Sequence, residues 1–306
     1  MARFIGMRVA HGAVTLLGLI VLTFALQFII PGDPVRMLAP RTPSEEVARR
    51  IRAQLGLDRP WWEQLGRYLL RVAQGDLGES YVRRQPVARL IAGRLPATAA
   101  LALAGVLAEI LLGLPVGIAM ALSPRLRGLL SGLNLILLSM PTFVIGIALL
   151  LALGFGARLF PTTGGAGLRE LILPALTLGL AGTPWYAGVV RDRLEESLGS
   201  SYVRMAVAKG LPNRWILFRH CLPHVFPALA TMAGMDLGAY LSGVVVVEAI
   251  FGWPGIGLLA VQAMQTLDRP VVMGTLLVGG ASVIALNGVA DGLRMILDPR
   301  TREEVG

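Results

Sequence analysis

Residues 128–157 read GLLSGLNLILLSMPTFVIGIALLLALGFGA, thirty positions between Arg127 and Arg158 without a charged side chain. About 20 apolar residues at a rise of ~1.5 Å cross a hydrocarbon core of ~30 Å. The run is continuous rather than alternating, which reads as helix and excludes a strand of a closed barrel. Five further windows share the pattern: 12–32, 95–124, 171–190, 225–247 and 271–290, broken only by Glu109 and Asp236. The expectation is an all-α polytopic membrane protein with six transmembrane helices.

Composition agrees. The 306-residue chain is 55 % hydrophobic before its 37 glycines are counted, and only 15 % charged. Soluble domains carry roughly 45–50 % apolar residues with glycine included and about 25 % charged ones, so disorder and an ordinary cytosolic enzyme are excluded. Cys221 is the only cysteine, which excludes a disulfide framework and a cysteine-based zinc site. The net charge of +9 rests on 28 basic residues, all arginine except Lys209. They lie between apolar runs with no aromatic-interleaved patch, so the expected partner is the lipid bilayer and not nucleic acid.

Short loops set the orientation. With the N-terminus (1–11) inside, cytosolic segments hold Arg3 and Arg8, then Arg125 and Arg127. The loop at 191–224 adds Arg191, Arg193, Arg204, Lys209, Arg214 and Arg219, and the tail at 291–306 adds Arg294, Arg300 and Arg302. Short outer loops hold Arg158, Arg169 and Arg269. Residues 33–94 carry 12 arginines against seven acids, but a segment of about 60 residues translocates largely regardless of charge. The topology expected is N-in, C-in. The first window follows basic residues as a secretory signal does. It exceeds an h-region of ~7–15 residues and no A-x-A-like cleavage site follows, so it is expected to remain as an anchor.

The segment 33–94 has the texture of a small extracytoplasmic domain. A cap near Thr42 to Ser44, followed by Val47, Ile51 and Leu55, predicts one helix ending at Gly56, and Trp61 to Val72 predicts a second. There is no internal repeat to support an inverted-repeat carrier.

No nucleotide or hydrolase signature is present. With Lys209 the only lysine, a G-x-x-x-x-G-K-[ST] loop has no place, and neither G-x-S-x-G nor H-E-x-x-H occurs. His220 and His224 have the i, i+4 spacing of metal ligands, but Pro223 interrupts the helix and no third ligand stands beside them. Glu109 and Asp236 sit inside spans, where a charge costs ~2.5–3.5 kcal/mol on insertion scales. Each either lines a path or pairs with a backbone or hydroxyl group at a helix interface, and neither has a companion that would make a proton relay. Gly113 with Gly117, and Gly234 with Gly238, permit close helix approach.

The loop at 191–224 is the most informative stretch. Residues 201–209 are helix-competent, Gly210 is a stop, and a second helix starts from Asn213. A short helix on the inner face, joined to two spans, is a lever for the movement of a soluble partner. Further on, Phe251 to Gly257 places three glycines and Pro254 in seven residues. A membrane helix breaks there, and non-helical backbone at depth survives only against protein or a water-filled cavity. It is either a structural turn or a pathway-lining gate.

These segments resemble the membrane permease subunits of binding-protein-dependent ABC importers, in the dipeptide/oligopeptide/nickel branch. The family loop motif is E-A-A, three residues, Gly, nine residues, then I-x-L-P. Gly210, Leu222 and Pro223 fall in register with Ala206 at the second alanine, while Arg204, Met205 and His220 replace the glutamate, the first alanine and the isoleucine. The run Tyr202-Val203-Arg204 with Ala206, Ala208, Lys209, Gly210 and Leu211 is similar to the peptide-branch form. Other matching segments are Pro31 to Pro34, Leu55 to Pro60, Gly75 to Gly78, Arg94 to Thr98, Glu248 to Gly257, Asp268 to Pro270 and Asp298 to Arg300.

The resemblance implies a type I importer-like permease of a prokaryotic cell membrane. Its partners would be a homologous second permease, two P-loop ATPase subunits and an extracytoplasmic solute-binding protein received by the domain at 33–94. On that basis Tyr202, Arg204, Ala206, Ala208, Lys209, Gly210, Leu222 and Pro223 couple to an ATPase. Asp236, Glu248, Phe251, Trp253, Pro254, Gly255 and Gly257, the last six from the segment 248–270, line or gate the pathway. The chain itself would be non-catalytic and without cofactor, ATP and magnesium belonging to the ATPases. Dipeptides and oligopeptides are the expected cargo, with nickel or glutathione as alternatives. Glu109 receives no role from the resemblance. A channel, an ion-coupled carrier or a scaffold would need none of these partners.

Overall fold

The computed structural model describes residues 2–29, 35, 45–162, 165 and 167–297, with side chains left out at a few of them, including 2–5, 7–9, 26–29, 55 and 289–297. Pro31 to Pro34, Thr42 to Ser44 and Asp298 to Arg300 lie outside the described residues. The chain divides into two units, one made of Met1–Thr98, Leu241–Val245 and Pro254–Ile284 and the other of the remainder. Among the described residues every regular element is helical, apart from an isolated bridge between Glu79 and Pro86.

In the first unit, α1 (Ala2–Ile29) carries the first apolar window. The segment 33–94 supplies α2 (Glu45–Leu55) and α3 (Trp61–Ala73), as the apolar spacing foretold. Both are amphipathic, with i, i+4 Glu–Arg pairs such as Glu46–Arg50 on their wet faces. Helix α4 (Val87–Leu122) begins in this unit, eight residues before the hydropathy boundary at Leu95. Backbone hydrogen bonding does not stop where the arginines begin, because arginine is a good helix former whose long stem lets the charged head reach water.

Two clusters hold this unit together. Ile20 and Phe24 of α1 pack with Tyr68 of α3 and with Met273 and Leu277 of the last long helix. Val87 and Ile91 pack against Ile256, Leu259 and Ala263 and against Val271. The segments quoted as family-like meet here. The Asp268 carboxylate accepts from the Ser80 hydroxyl and from the amides of Tyr81 (3.0 Å) and Val82 (3.4 Å). The Ile256 amide, at the first residue of a helix, donates to Thr98 Oγ1 at 2.8 Å.

The second unit contains the rest of α4, then α5 (Pro124–Ser139) and α6 (Thr142–Leu149), the latter continuing as a π-helical turn over Leu150–Gly156. The thirty-residue apolar run is therefore not one straight helix. It bends by 102° between Ser139 and Thr142. Pro141 is the cause: a residue before proline is driven out of the α region, and Met140 adopts φ −92°, ψ 125°. The next element, α7 (Leu168–Leu198), outruns its apolar window at both ends. It lies against α4 at a glycine seam, where a Cβ on Gly113 would stand 2.4 Å from Tyr186 Cβ and one on Gly117 2.5 Å from Val190 Cβ. The small-residue pair at 113 and 117 thus does admit a close helix.

The run 225–247 is also divided, into α10 (Phe226–Leu241) and α11 (Val245–Phe251), which differ in direction by 64°. After it come α12 (Ile256–Gln265) and α13 (Arg269–Leu297). By length and apolarity, Val87–Leu122 and Arg269–Gly288 are each able to cross a bilayer, and the two bent pairs do so if each is counted as one span. Ala10–Ala25 is a shorter apolar helix.

Candidate functional site

Between α7 and α10 the chain forms α8 (Ser201–Ala208), α9 (Asn213–Ile216), a π-helical turn at Leu217–Cys221 and a 3-10 turn at Leu222–His224. Ser200 caps α8 by accepting from the Val203 amide at 3.4 Å. The far end closes by a Schellman pair: Gly210 N–H donates to Val207 C=O at 2.9 Å and Leu211 N–H to Ala206 C=O at 3.2 Å. Gly210 has φ +74°, a left-handed conformation that glycine adopts without the Cβ penalty.

Two residues of α8, one in each turn, face inward. Val203 and Ala206 join Tyr186, Val190 and Leu194 of α7 in one core with Ile216, Cys221 and Leu222. Ala206 and Leu222 therefore pack the base of the loop. Tyr202, Arg204, Ala208, Lys209, Gly210 and Pro223 are exposed. So are four large apolar side chains that the motif does not contain: Met205, Val207, Trp215 and Phe218, at 59, 56, 47 and 66 % exposure. Their signal was present in the sequence as bulky apolar residues between the charges of a wet loop. His220 and His224 do not share a site, since His220 packs edge-on to Trp215 and His224 against Tyr202.

The segment after α10 closes by the same device as α8. Trp253 N–H donates to Glu248 C=O at 2.9 Å and Gly252 N–H to Ala249 C=O at 3.4 Å, with Gly252 at φ +61°. Glu248, Phe251 and Trp253 are buried. In the other unit Pro254 precedes Gly255, which stands at the N-cap of α12. Gly257 lies so near that its Cα is 3.2 Å from where a Cβ on Gly243 would sit. The helix break expected at 251–257 is real.

Glu109 and Asp236, one residue each from α4 and α10, line a common cavity of about 420 Å³ with Tyr186, Tyr240 and Trp185. The two alternatives left open by the sequence are both met, since each carboxylate lines the cavity and each pairs with a hydroxyl. Tyr240 donates its hydroxyl to Glu109 Oε1, and Tyr186 donates to Asp236 Oδ2 at 2.7 Å. Both tyrosines are far from their carboxylates in sequence, which is why spacing did not show them. Glu109 is 1 % exposed, and its Oε2 is buried without a hydrogen-bond partner. Gly182 makes room for it: a Cβ there would collide with Oε1.

The first unit holds a second concavity, about 760 Å³, whose lining includes Arg59, Arg67, Arg71, Arg84 and Arg269 against Glu79. Burial raises the Tyr68 and Tyr81 hydroxyls above their ordinary range, although Arg71 beside both, and Arg269 beside Tyr81, pull the other way. This cleft is positive and suits an anionic surface.

Long apolar helices, a packed loop helix with an exposed apolar crest, and an acidic cavity between helices are the features that a comparison with known proteins has to account for. Residues 113–303 match the family described as binding-protein-dependent transport system inner membrane component, and residues 1–102 match its N-terminal component. The chain belongs to this family: it is the permease subunit of an ABC importer, an integral protein of a prokaryotic inner membrane, and such subunits are not catalytic. It is 35 % identical over 290 residues to the glutathione transport system permease protein GsiC of Salmonella paratyphi A, covering 94 % of this chain and 95 % of that one. It is 36 % identical over 309 residues to a protein named as a peptide transport system permease in Brucella abortus, covering 96 % and 97 %. A chain of the methionine ABC transporter MetNI in an inward-facing conformation shares the fold, with TM-score 0.55 at 17 % identity over 69 % of this chain and 97 % of that one.

Proposed function

We infer that this permease and a homologous second one enclose a translocation pathway for peptides or glutathione, supplied by a solute-binding protein and driven by two P-loop ATPase subunits. The substrate reading follows the relatives, which are named for glutathione and for peptides. Nickel fits the architecture without being favoured. ATP and magnesium belong to the ATPases, and this chain needs no cofactor of its own.

On this reading the chain crosses six times with both termini cytosolic, one crossing each for α1, α4, the α5–α6 pair, α7, the α10–α11 pair and α13. The Arg127–Glu195 ion pair at 2.6 Å supports that topology, because it joins two loops expected on the same, cytosolic side. On the outer side, the arginine-lined cleft favours the docking of an acidic partner surface, which suits a binding protein. The broken segment carrying Glu248, Phe251, Trp253, Pro254, Gly255 and Gly257, together with Asp236, lines or gates the pathway.

One observation carries the coupling assignment. The α8 region is packed on α7 through Val203 and Ala206 while Met205, Val207, Trp215 and Phe218 stay exposed. Such a crest is a docking surface, and its rigid base passes a movement of the ATPase to the spans. ATP-driven closure of the ATPases then switches the pathway between inward- and outward-facing. Affinity purification in mild detergent with mass spectrometry tests this: two P-loop ATPases and a second permease should stay bound. A chain that purifies alone, and transports without them, is a channel or carrier instead.

A further inference from the structure

We propose that the cavity between Glu109 and Asp236 is a subsite for an organic ammonium group, the charged amine of the solute in transit. The proposal rests on the peptide or glutathione reading, since both solutes carry a free primary amine.

The cavity walls hold two carboxylates and no basic side chain. Each carboxylate is already oriented by one tyrosine hydroxyl, at Glu109 Oε1 and Asp236 Oδ2. A tyrosine has a single proton to donate, whereas a carboxylate has room for about four hydrogen bonds. Acceptor capacity is therefore left over in the wall, and Glu109 Oε2 is buried with no partner at all. An intramembrane carboxylate in that condition calls for a cation. An ammonium group brings three donors and one positive charge, which answers both deficits.

Shape and surroundings narrow the ligand further. About 420 Å³ is small-solute size. Trp185 also lines the cavity and is 65 % exposed, which leaves its indole accessible to a cation. A bare divalent metal is less well served, because among the described residues no three His, Cys, Asp or Glu side chains gather as a ligand set. Glu109 stands at the fifteenth of thirty positions in the apolar window 95–124, away from both of its ends. Gly182 keeps the place clear for the carboxylate.

The assembled transporter, reconstituted in proteoliposomes with its ATPases and binding protein, provides the test. Uptake of trialanine and of glutathione is compared in wild type, Glu109→Gln and Asp236→Asn, alongside ATP hydrolysis stimulated by the loaded binding protein. Each variant should lower uptake about tenfold while stimulated hydrolysis stays within about twofold. Propylammonium should compete with wild-type uptake where uncharged propionamide does not, and Glu109→Gln should lose that difference. Wild-type uptake by both variants overturns the proposal. So does a parallel loss of uptake and hydrolysis with a lowered melting temperature, which assigns the carboxylates to packing. A wild type that carries neither solute refutes the substrate reading instead. The subsite is then judged by whether propylammonium alters ATP hydrolysis in wild type and not in Glu109→Gln.

Discussion

Thr98 Oγ1 accepts the backbone amide of Ile256 at 2.8 Å, so a side chain of α4 caps a helix that starts 158 residues later. Thr98 is fully buried, and the amide it satisfies is one of the first in α12, which have no partner within the helix. A buried amide deprived of its acceptor costs ~1–3 kcal/mol. Thr98→Val keeps the shape and removes the acceptor, and should lower the melting temperature by several degrees. Thr98→Ser should stay near wild type. Thermal unfolding in detergent distinguishes them, and equal melting points would show that the cap is idle.

Gly210 ends α8 with a left-handed residue, and Gly210→Ala must hold φ +74° with a Cβ present. The expected cost is about 1 kcal/mol, and the transporter should still work at reduced rate. Gly210→Pro removes the N–H that donates to Val207 and cannot reach positive φ, so the turn is lost. Uptake should then collapse while the protein remains inserted at normal abundance. Normal uptake by Gly210→Pro sinks the lever.

Met205 and Phe218 stand out from the loop at more than half exposure. If they seat in an ATPase, Met205→Asp or Phe218→Asp places an unpaired charge in that contact, a change worth several kcal/mol in a buried interface. Retention of the ATPase subunits on affinity-tagged permease should fall by at least tenfold, since tenfold corresponds to only ~1.4 kcal/mol. Because both positions are exposed in the free chain, its own melting temperature should not move.

Asp268 receives the Ser80 hydroxyl and two backbone amides, and is 3 % exposed. Asp268→Ala leaves those donors buried and unpaired, at ~1–3 kcal/mol or more. The loop at 79–84 should become the first part of the outer domain to exchange its amide hydrogens. Hydrogen exchange read by mass spectrometry should show lost protection there, with α7 unaffected. Protection equal to wild type would mean that the loop is held by other contacts.

Gly117 touches α7 so closely that a Cβ would lie 2.5 Å from Val190 Cβ and 2.6 Å from the Ala187 carbonyl. Backbone cannot yield as a side chain does, so Gly117→Ala should separate the helices and destabilise by ~1–3 kcal/mol. Gly128→Ala, with open space around it, is the matching control in the same thermal assay.

Local signals were legible wherever one segment of chain decides its own conformation. The apolar windows, the helices at 45–55 and 61–73, the stop at Gly210 and the break after Phe251 each follow from hydropathy or from glycine and proline nearby. Pro141 was equally visible, yet unbroken hydropathy hid its effect, since a bilayer-length count is blind to backbone direction. Of the coupling-loop residues, the motif identified the backbone frame, but not which side chains pack and which stay wet. Ala206 and Leu222 went inside, while Met205, Val207, Trp215 and Phe218 remained outside.

What the sequence alone determined is thus a helical membrane chain with one structured polar segment at 33–94 and one structured loop at 191–224. Those features depend on the water–lipid partition of each residue and on dihedral preferences within a few positions. The tertiary structure decided the rest: Tyr240 with Glu109 across 131 residues, Tyr186 with Asp236 across 50, and Asp268 with Ser80 across 188. A buried carboxylate must find donors wherever packing brings them, and packing is set by how helix surfaces fit together, which no local stretch encodes.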